Sequence, residues 1–283
     1  MPELPEVETI KNDLRSLVVG RTILAARVLD PRLVKYPSAA EMEAELAGQR
    51  IAGVDRRAKY LLLRLSSGKT LVVQLILTGQ LLLVEPDNLV QKSTRLLLDL
   101  DDGHQLRLVD SRRFAMINLV DEQELNTRLP LGELGPEAIS DQFTLEFFRR
   151  VLQGTRRQIK ALLLDQRVVS GLGNIYSDES LFAARIHPLR PASSLSPQEV
   201  ERLYRAIRTI LPEAIRLRGT TTRAYRDVLG RKGGYQEKLK VVARAGKPCV
   251  GCPGLVEKIW AAGRESYLCP SCQRLEEVTR RAA

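Results

Sequence analysis

Apolar residues at Val7, Ile10, Leu14, Leu17 and Val18 recur at helical spacing, so the segment after Pro5 is expected to form an amphipathic helix that anchors the N-terminus. From there to about residue 120 the pattern changes to short apolar runs bounded by turn residues. Strands are expected at 22–29, 60–65, 70–75, 80–84, 95–100, 105–109 and 116–120, with turns such as Ser66-Ser67-Gly68-Lys69 and Asp101-Asp102-Gly103 between them. Short adjacent strands of this kind suggest an antiparallel sandwich. Leu134-Gly135-Pro136 marks a boundary, beyond which residues 145–152, 156–164, 177–184 and 197–218 carry helical periodicity. A Gly-rich stretch follows. The pattern predicts an α+β chain of three parts: a β domain over 1–134, a helical domain over 135–236 and a small appendage over 237–283.

The chain has 283 residues and 44% hydrophobic content, enough to build proper cores. Its 44 Lys and Arg against 34 Asp and Glu give a net charge of +10. That excess favours a polyanionic partner and salt-sensitive binding. An acidic N-terminus and charge-broken apolar runs give neither a signal peptide nor a spanning segment, so a soluble, cytoplasmic protein without membrane contact is expected.

All four cysteines lie near the C-terminus, as Cys249-x-x-Cys252 and Cys269-x-x-Cys272 with 16 residues between the pairs. This spacing fits a tetrathiolate zinc ribbon, in which each pair occupies a tight turn and the metal joins the two. Disulfides are the alternative, disfavoured because nothing points to an oxidising compartment. Four protein ligands close the coordination shell, so one structural Zn2+ is expected. Two other motifs do not hold. Ser67-Gly68-Lys69-Thr70 ends like a phosphate-binding loop, but Leu63 stands where its first glycine belongs. Gly171-Leu172-Gly173 lacks the preceding strand and third glycine of a dinucleotide fingerprint. With only His104 and His187 present, a histidine triad is not expected either.

The first residues are the most suggestive chemically. Removal of Met1 would expose the secondary amine of Pro2 beside Glu3 and Glu6. An α-amino group titrates near pH ~8, so part of it is nucleophilic at neutral pH, and its attack on an aldehydic sugar carbon gives an iminium. The plainer alternative is a helix start, with Pro5 in the first turn and Glu6 and Glu8 complementing the dipole.

Pro2-Glu3-Leu4-Pro5-Glu6-Val7-Glu8, Arg57-Ala58-Lys59-Tyr60, Asp110-Ser111-Arg112-Arg113-Phe114, Gly171-Leu172-Gly173-Asn174-Ile175-Tyr176 and Gly263-Arg264 occur in that order over nearly the whole chain. Together they resemble formamidopyrimidine-DNA glycosylase, the bacterial repair enzyme for oxidised purines. The resemblance implies an N-terminal β-sandwich with an N-terminal helix, a helix-two-turns-helix domain and a C-terminal zinc finger. It also implies a glycosylase and abasic-site lyase acting, as a monomer associated with the nucleoid, on double-stranded DNA with oxidised bases or abasic sites.

The resemblance further supplies roles. Pro2 is the nucleophile, Glu3 handles protons at the sugar and Glu6 supports it; Lys59, Asn174 and Arg264 grip phosphates, with Tyr176 nearby. Arg112 faces the orphaned cytosine and Phe114 wedges into the stack. Leu77 stands where the third filler is usually methionine, and Gln74 where a phosphate-binding histidine is usual. Ile76 replaces a glycine, Ser111 a proline and Ala115 a glycine; these departures bear on opposite-base discrimination and lesion range more than on the chemistry. The stretch Thr222-Arg223-Ala224-Tyr225 resembles the loop that closes over flipped 8-oxoguanine. Two other readings stand beside this one: an enzyme of the endonuclease VIII type preferring oxidised pyrimidines, and a zinc-ribbon lesion-binding protein without turnover.

Overall fold

Amphipathic spacing at the N-terminus becomes helix α1 (Leu4–Leu17), whose Val7, Ile10 and Leu14 are buried. The computed structural model describes residues 2–275; the expectation for Met1, and positions 276–283 of the appendage, lie outside them. Contacts divide the chain into two compact units, Met1–Glu133 with Ala214–Gln236, and Leu134–Glu213 with Glu237–Ala283.

In the first unit, α1 is followed by β1 (Ile23–Val28), β2 (Val34–Tyr36), helix α2 (Ala39–Leu46), β3 (Ile51–Arg57), β4 (Tyr60–Leu65), β5 (Lys69–Gln74) and β6 (Gln80–Val84). Then come β7 (Thr94–Leu100), β8 (Gln105–Val109), β9 (Met116–Asp121) and the short helix α3 (Leu125–Arg128). The strands form a four-stranded sheet in the order β1-β7-β8-β6 and a five-stranded sheet in the order β2-β9-β5-β4-β3. Pairing is antiparallel except between β2 and β9, which run parallel. Alternating apolar positions of both sheets, with Val7, Ile10 and Leu14 of α1, share one core. Tyr225 and Val228 from the later segment complete it.

Apolar periodicity predicts no element between 30 and 50, yet α2 and β2 lie there. Helix α2 forms because Ser38 and Glu41 make reciprocal cap bonds, at 3.3 Å and 3.0 Å. It is held to β1 by Val28 N donating to Glu43 Oε1 at 2.5 Å. Strand β3 is obscured in the pattern by Asp55, Arg56 and Arg57. Two of these charges are met by partners elsewhere: Arg15 at 2.5 Å from Asp55 and Glu8 at 2.7 Å from Arg56.

The second unit contains α4 (Leu145–Gln153), α5 (Ile159–Leu164), α6 (Asn174–Ala184) and most of α7 (Pro197–Arg216), then the hairpin β10 (Glu257–Ala261) and β11 (Arg264–Leu268). Helix α5 starts three residues later than its periodicity suggests, because Gln158 is extended and bridges to Pro191. Helix α6 starts three residues earlier, from Gly173 as cap.

Candidate functional site

Within the first unit, the N-terminus is organised by one carboxylate. Glu6 Oε2 accepts the backbone N–H of Glu3 at 2.7 Å, the reciprocal bond of a capping box. Its Oε1 accepts Thr220 N at 2.7 Å. Pro2, Glu3 and Glu6 are buried, Glu3 and Glu6 completely. Glu6 thereby fixes the start of α1, and with it Pro2 and Glu3, to the segment after α7. Gly219 lies against the same carboxylate in a left-handed turn, φ +78°.

Lys59 occupies the tight turn between β3 and β4, after Ala58 at φ +50°. The turn is braced by Arg56, which donates to Ala58 O at 2.8 Å and to Glu8 Oε2 at 2.7 Å. Burial pushes the Glu8 carboxyl up, but Lys11 and Arg56 more than offset it and hold it below its ordinary value. Glu8 therefore ties α1 to the lysine turn as a carboxylate.

Leu77 lies half-buried in the turn after β5, and Gln74 ends that strand. Ile76 sits at φ +55°, a conformation costly for a β-branched residue, which explains why the resemblance has a glycine there. Ser111, Arg112, Arg113 and Phe114 project from the loop between β8 and β9, and the Arg112 guanidinium lies 5.0 Å from the centroid of the Phe114 ring. Ala115 is buried at the base of that loop without a left-handed backbone.

Thr222 and Arg223 are exposed, Ala224 is half-buried and Tyr225 is buried. Tyr225 belongs to the core, and its hydroxyl is pushed far above the ordinary range, first by burial and then by the charge of Glu6. The segment docks along β6: Gln80 Nε2 donates to Ala224 O, and Leu83 N donates to Val228 O at 2.9 Å. Residues 222 and 223 are thus an exposed tip on an anchored stem.

In the second unit, Asn174 opens α6, and its Nδ2 donates to Glu265 O at 2.9 Å. Tyr176 is fully buried, so it acts through packing beneath the helix start and not from the surface. Arg264 is exposed and follows the turn Ala262-Gly263, both at positive φ, at the tip of the β10-β11 hairpin.

The four cysteine sulfurs lie within 4.8 Å of one another, with Cys249 Sγ to Cys272 Sγ at 3.9 Å and Cys252 Sγ to Cys269 Sγ at 3.5 Å. A tetrahedron of ~2.3 Å metal–sulfur bonds has sulfurs about 3.8 Å apart, so the set fits one metal ion. The amides of Gly251 and Gly254 donate to Cys249 and Cys252 at 3.3 and 3.4 Å. The Gly254 amide helps bring the Cys252 thiol down to about 7, while burial and then the neighbouring thiols push Cys272 up to about 12. Metal ligation would deprotonate all four, and a cation among them would offset the repulsion of four thiolates at this spacing.

Residues 1–117 match the model of the formamidopyrimidine-DNA glycosylase N-terminal domain, and residues 134–226 match that of its H2TH domain. The formamidopyrimidine-DNA glycosylase of Pelotomaculum thermopropionicum is 44% identical over 276 residues, covering 98% of this chain and 100% of the relative. The chain belongs to the formamidopyrimidine-DNA glycosylase family. Its fold is similar to that of Lactococcus lactis Fpg in complex with abasic-site DNA, with TM-score 0.91 and 34% identity over 96% of this chain and all of that one. A second complex of the Lactococcus protein, with DNA containing an oxidised pyrimidine, gives TM-score 0.91 and 33% identity over 97% of this chain and all of that one.

Formamidopyrimidine-DNA glycosylases are base-excision repair enzymes that join glycosylase and abasic-site lyase activities, and this chain is an enzyme of that class. Among the described residues no helix is long and apolar enough to cross a membrane. Nothing in the sequence singled out Thr78, Gly219 or the pair Lys160 and Asp178, which the structure places against Asp110, against Glu6 and against each other. Asp110 stood within a quoted motif, but nothing in a sequence distinguishes a carboxylate that binds main-chain amides from one on the surface.

Proposed function

We propose that this chain removes oxidised purines, 8-oxoguanine and formamidopyrimidines, from double-stranded DNA and then cuts the strand as a lyase. The observation that carries the reading is Glu6, a buried carboxylate bonded at once to Glu3 N and to Thr220 N, so that the N-terminal amine and the lesion loop share one fixed frame. With Met1 removed, the Pro2 nitrogen bonds to C1′ of the damaged nucleotide as the glycosidic bond breaks and the base departs with a proton. Breaking of the C1′–O4′ bond, with O4′ taking a proton, then opens the sugar ring and gives the iminium, which acidifies the C2′ proton. Its loss expels the 3′ phosphate, and loss of the C4′ proton then expels the 5′ phosphate. Glu3 is the general acid and base at the sugar, and Glu6 holds it in place.

A base within a duplex is out of reach, so the nucleotide must be extruded and its gap filled. Leu77, Arg112 and Phe114 fill the gap, Arg112 facing the orphaned base, while Lys59, Gln74, Asn174 and Arg264 hold phosphates. Thr222, Arg223 and Ala224 cover the extruded base, and Tyr225 anchors their stem. Functionally, 1–134 is the catalytic segment, 135–236 the helix-two-turns-helix segment with its capping loop, and 237–283 the finger. Cys249, Cys252, Cys269 and Cys272 would hold one Zn2+, which supplies no chemistry to the sugar and fixes the hairpin bearing Arg264. The protein acts as a cytoplasmic monomer on nucleoid DNA.

The test is to incubate protein shown to begin at Pro2 with a duplex containing 8-oxoguanine opposite cytosine and then reduce with borohydride. A covalent adduct through Pro2 is expected; its absence leaves a lesion-binding protein without turnover. The similarity to a Lactococcus complex with an oxidised pyrimidine supports a second substrate class. Excision of the pyrimidine faster than 8-oxoguanine would reverse the preference for purines.

A further inference from the structure

Asp110, directly after β8, is completely buried, and both its carboxylate oxygens point into the turns that surround it. Oδ2 accepts the backbone N–H of Phe114 at 2.7 Å and of Ala115 at 2.8 Å. Oδ1 accepts Arg112 N at 3.1 Å and the hydroxyl of Thr78. Three amides and a hydroxyl thus converge on one carboxylate, an anion nest built from main chain. The Asp110 backbone is fixed as well: its N–H donates to Ser93 O at 2.8 Å, and its carbonyl accepts Arg95 Nε at 2.9 Å.

The two turns joined in this way belong to different strand connections, one between β5 and β6 and the other between β8 and β9. The loop bearing Arg112 and Phe114 is exposed, and Arg113 within it adopts φ +60°. Thr78 belongs to the turn bearing Leu77, which passes Ile76 at φ +55° and closes with Gly79 N donating to Leu75 O at 3.1 Å. A Cβ at Gly79 would lie 2.6 Å from Leu75 O, so this turn is closed tightly against its own strand end.

We infer that Asp110 is a positioning residue that locks the Leu77 turn and the Arg112-Phe114 loop into one preformed wedge for base extrusion. The inference rests on the proposed excision of a base from duplex DNA. Insertion into a stack needs side chains from two separate turns to arrive at a spacing set by DNA, whose bases rise ~3.4 Å per step. A wedge assembled before contact spends less conformational entropy on insertion than two loops ordered separately. Asp110 supplies that order from beneath, and no reacting atom touches it.

The test compares wild type, Asp110→Asn, Thr78→Val and the double variant in two reactions. One is single-turnover excision of 8-oxoguanine from a duplex, with 2-aminopurine beside the orphaned base to report insertion. The other is lyase action on an abasic site in a single strand, which needs no extrusion. An Asn amide turns one acceptor into a donor facing donors, so Asp110→Asn should slow duplex excision about tenfold to a hundredfold and suppress the 2-aminopurine signal. Lyase action on the single strand should persist within about twofold of wild type, since chemistry at the sugar is intact. Thr78→Val should slow excision less, and the double variant should be no slower than Asp110→Asn alone, because Thr78 acts through Asp110.

Parallel loss of both reactions in Asp110→Asn would show a role in folding only, and unchanged excision would show none; either overturns the inference. Effects of Thr78 and Asp110 that multiply would overturn the coupling. If Asp110→Asn does not fold, Thr78→Val decides alone: slower duplex excision with intact lyase supports the wedge, and no change rejects it. Failure of the proposed function has a different signature, since the wild type itself would then form no adduct.

Discussion

Lys160 Nζ lies 2.7 Å from Asp178 Oδ1, and neither side chain has any exposed surface. Asp178 also accepts Ser266 Oγ at 2.7 Å and Tyr267 N at 3.0 Å, and Lys160 donates to Glu265 O at 3.3 Å. One ion pair between α5 and α6 therefore fastens the strand that begins at Arg264. Removing the cation alone leaves a buried charge, at a cost on the order of 3–5 kcal/mol. Lys160→Met should lower the melting temperature and weaken binding to abasic-site duplex, and adding Asp178→Asn should recover part of the stability. A single variant as stable as wild type would contradict this assignment.

Gly219 is required by its neighbour as well as by its own backbone. A Cβ there would lie 2.7 Å from Glu6 Oε1 and 2.8 Å from Glu6 Cγ, at φ +78° where side chains are disfavoured. Gly219→Ala should push Glu6 off Thr220 N and Glu3 N and misplace Pro2. Misplacement of a nucleophile by ~1 Å costs on the order of a hundredfold in rate, so borohydride trapping should slow by about tenfold or more. Trapping at the wild-type rate would show that Glu6 does not set the amine.

Asp227 carries the base of the lesion loop. It accepts Arg218 Nη2 at 2.5 Å, Arg231 Nε at 2.8 Å and the amides of Leu229 and Arg231. Burial pushes its carboxyl up, but Arg218 and Arg231 outweigh that and hold it below its ordinary value of 3.8. A depressed folded-state value means that the contribution is complete above the ordinary value and is lost as pH falls through the lowered one. Melting curves from about pH 6 to about pH 2.5 should show Asp227→Asn less stable than wild type at the upper end, with the gap closing in the acid range. A constant gap would place the stabilisation elsewhere.

Metal removal should act through the hairpin. Elemental analysis should find one zinc per chain, and a strong chelator should lower affinity for abasic-site duplex about as much as Arg264→Ala does, since both remove one phosphate contact. Arg264→Ala in the metal-free protein should then add little. Full DNA affinity without metal would contradict the role of the four cysteines in holding Arg264 against the backbone.

Much of this chain is legible locally. Helix α1, seven of the strands and the four helices α4 to α7 follow from apolar period, because burial on one face imposes that period on any sequence. The cysteine spacing announces a metal site because two C-x-x-C turns are a ligand geometry in themselves. The order of Pro2, Lys59, Arg112, Asn174 and Arg264 announces the family. Helix α2 is hidden because its boundary is written in cap bonds, and β3 because its charges are paired with Arg15 and Glu8, far away in sequence.

What the sequence could not supply is partnership between groups distant along the chain. Glu6 bonds to Thr220 across 214 positions, Asp110 to Thr78 across 32 and Lys160 to Asp178 across 18. A carboxylate in a sequence has no direction. Only folding decides whether it ends in water, against a guanidinium or inside a ring of amides, because the cost of burying it is met by whichever donors the tertiary structure brings to it. The sequence thus determined which chemical groups this enzyme possesses, and the fold decided which of them are held still.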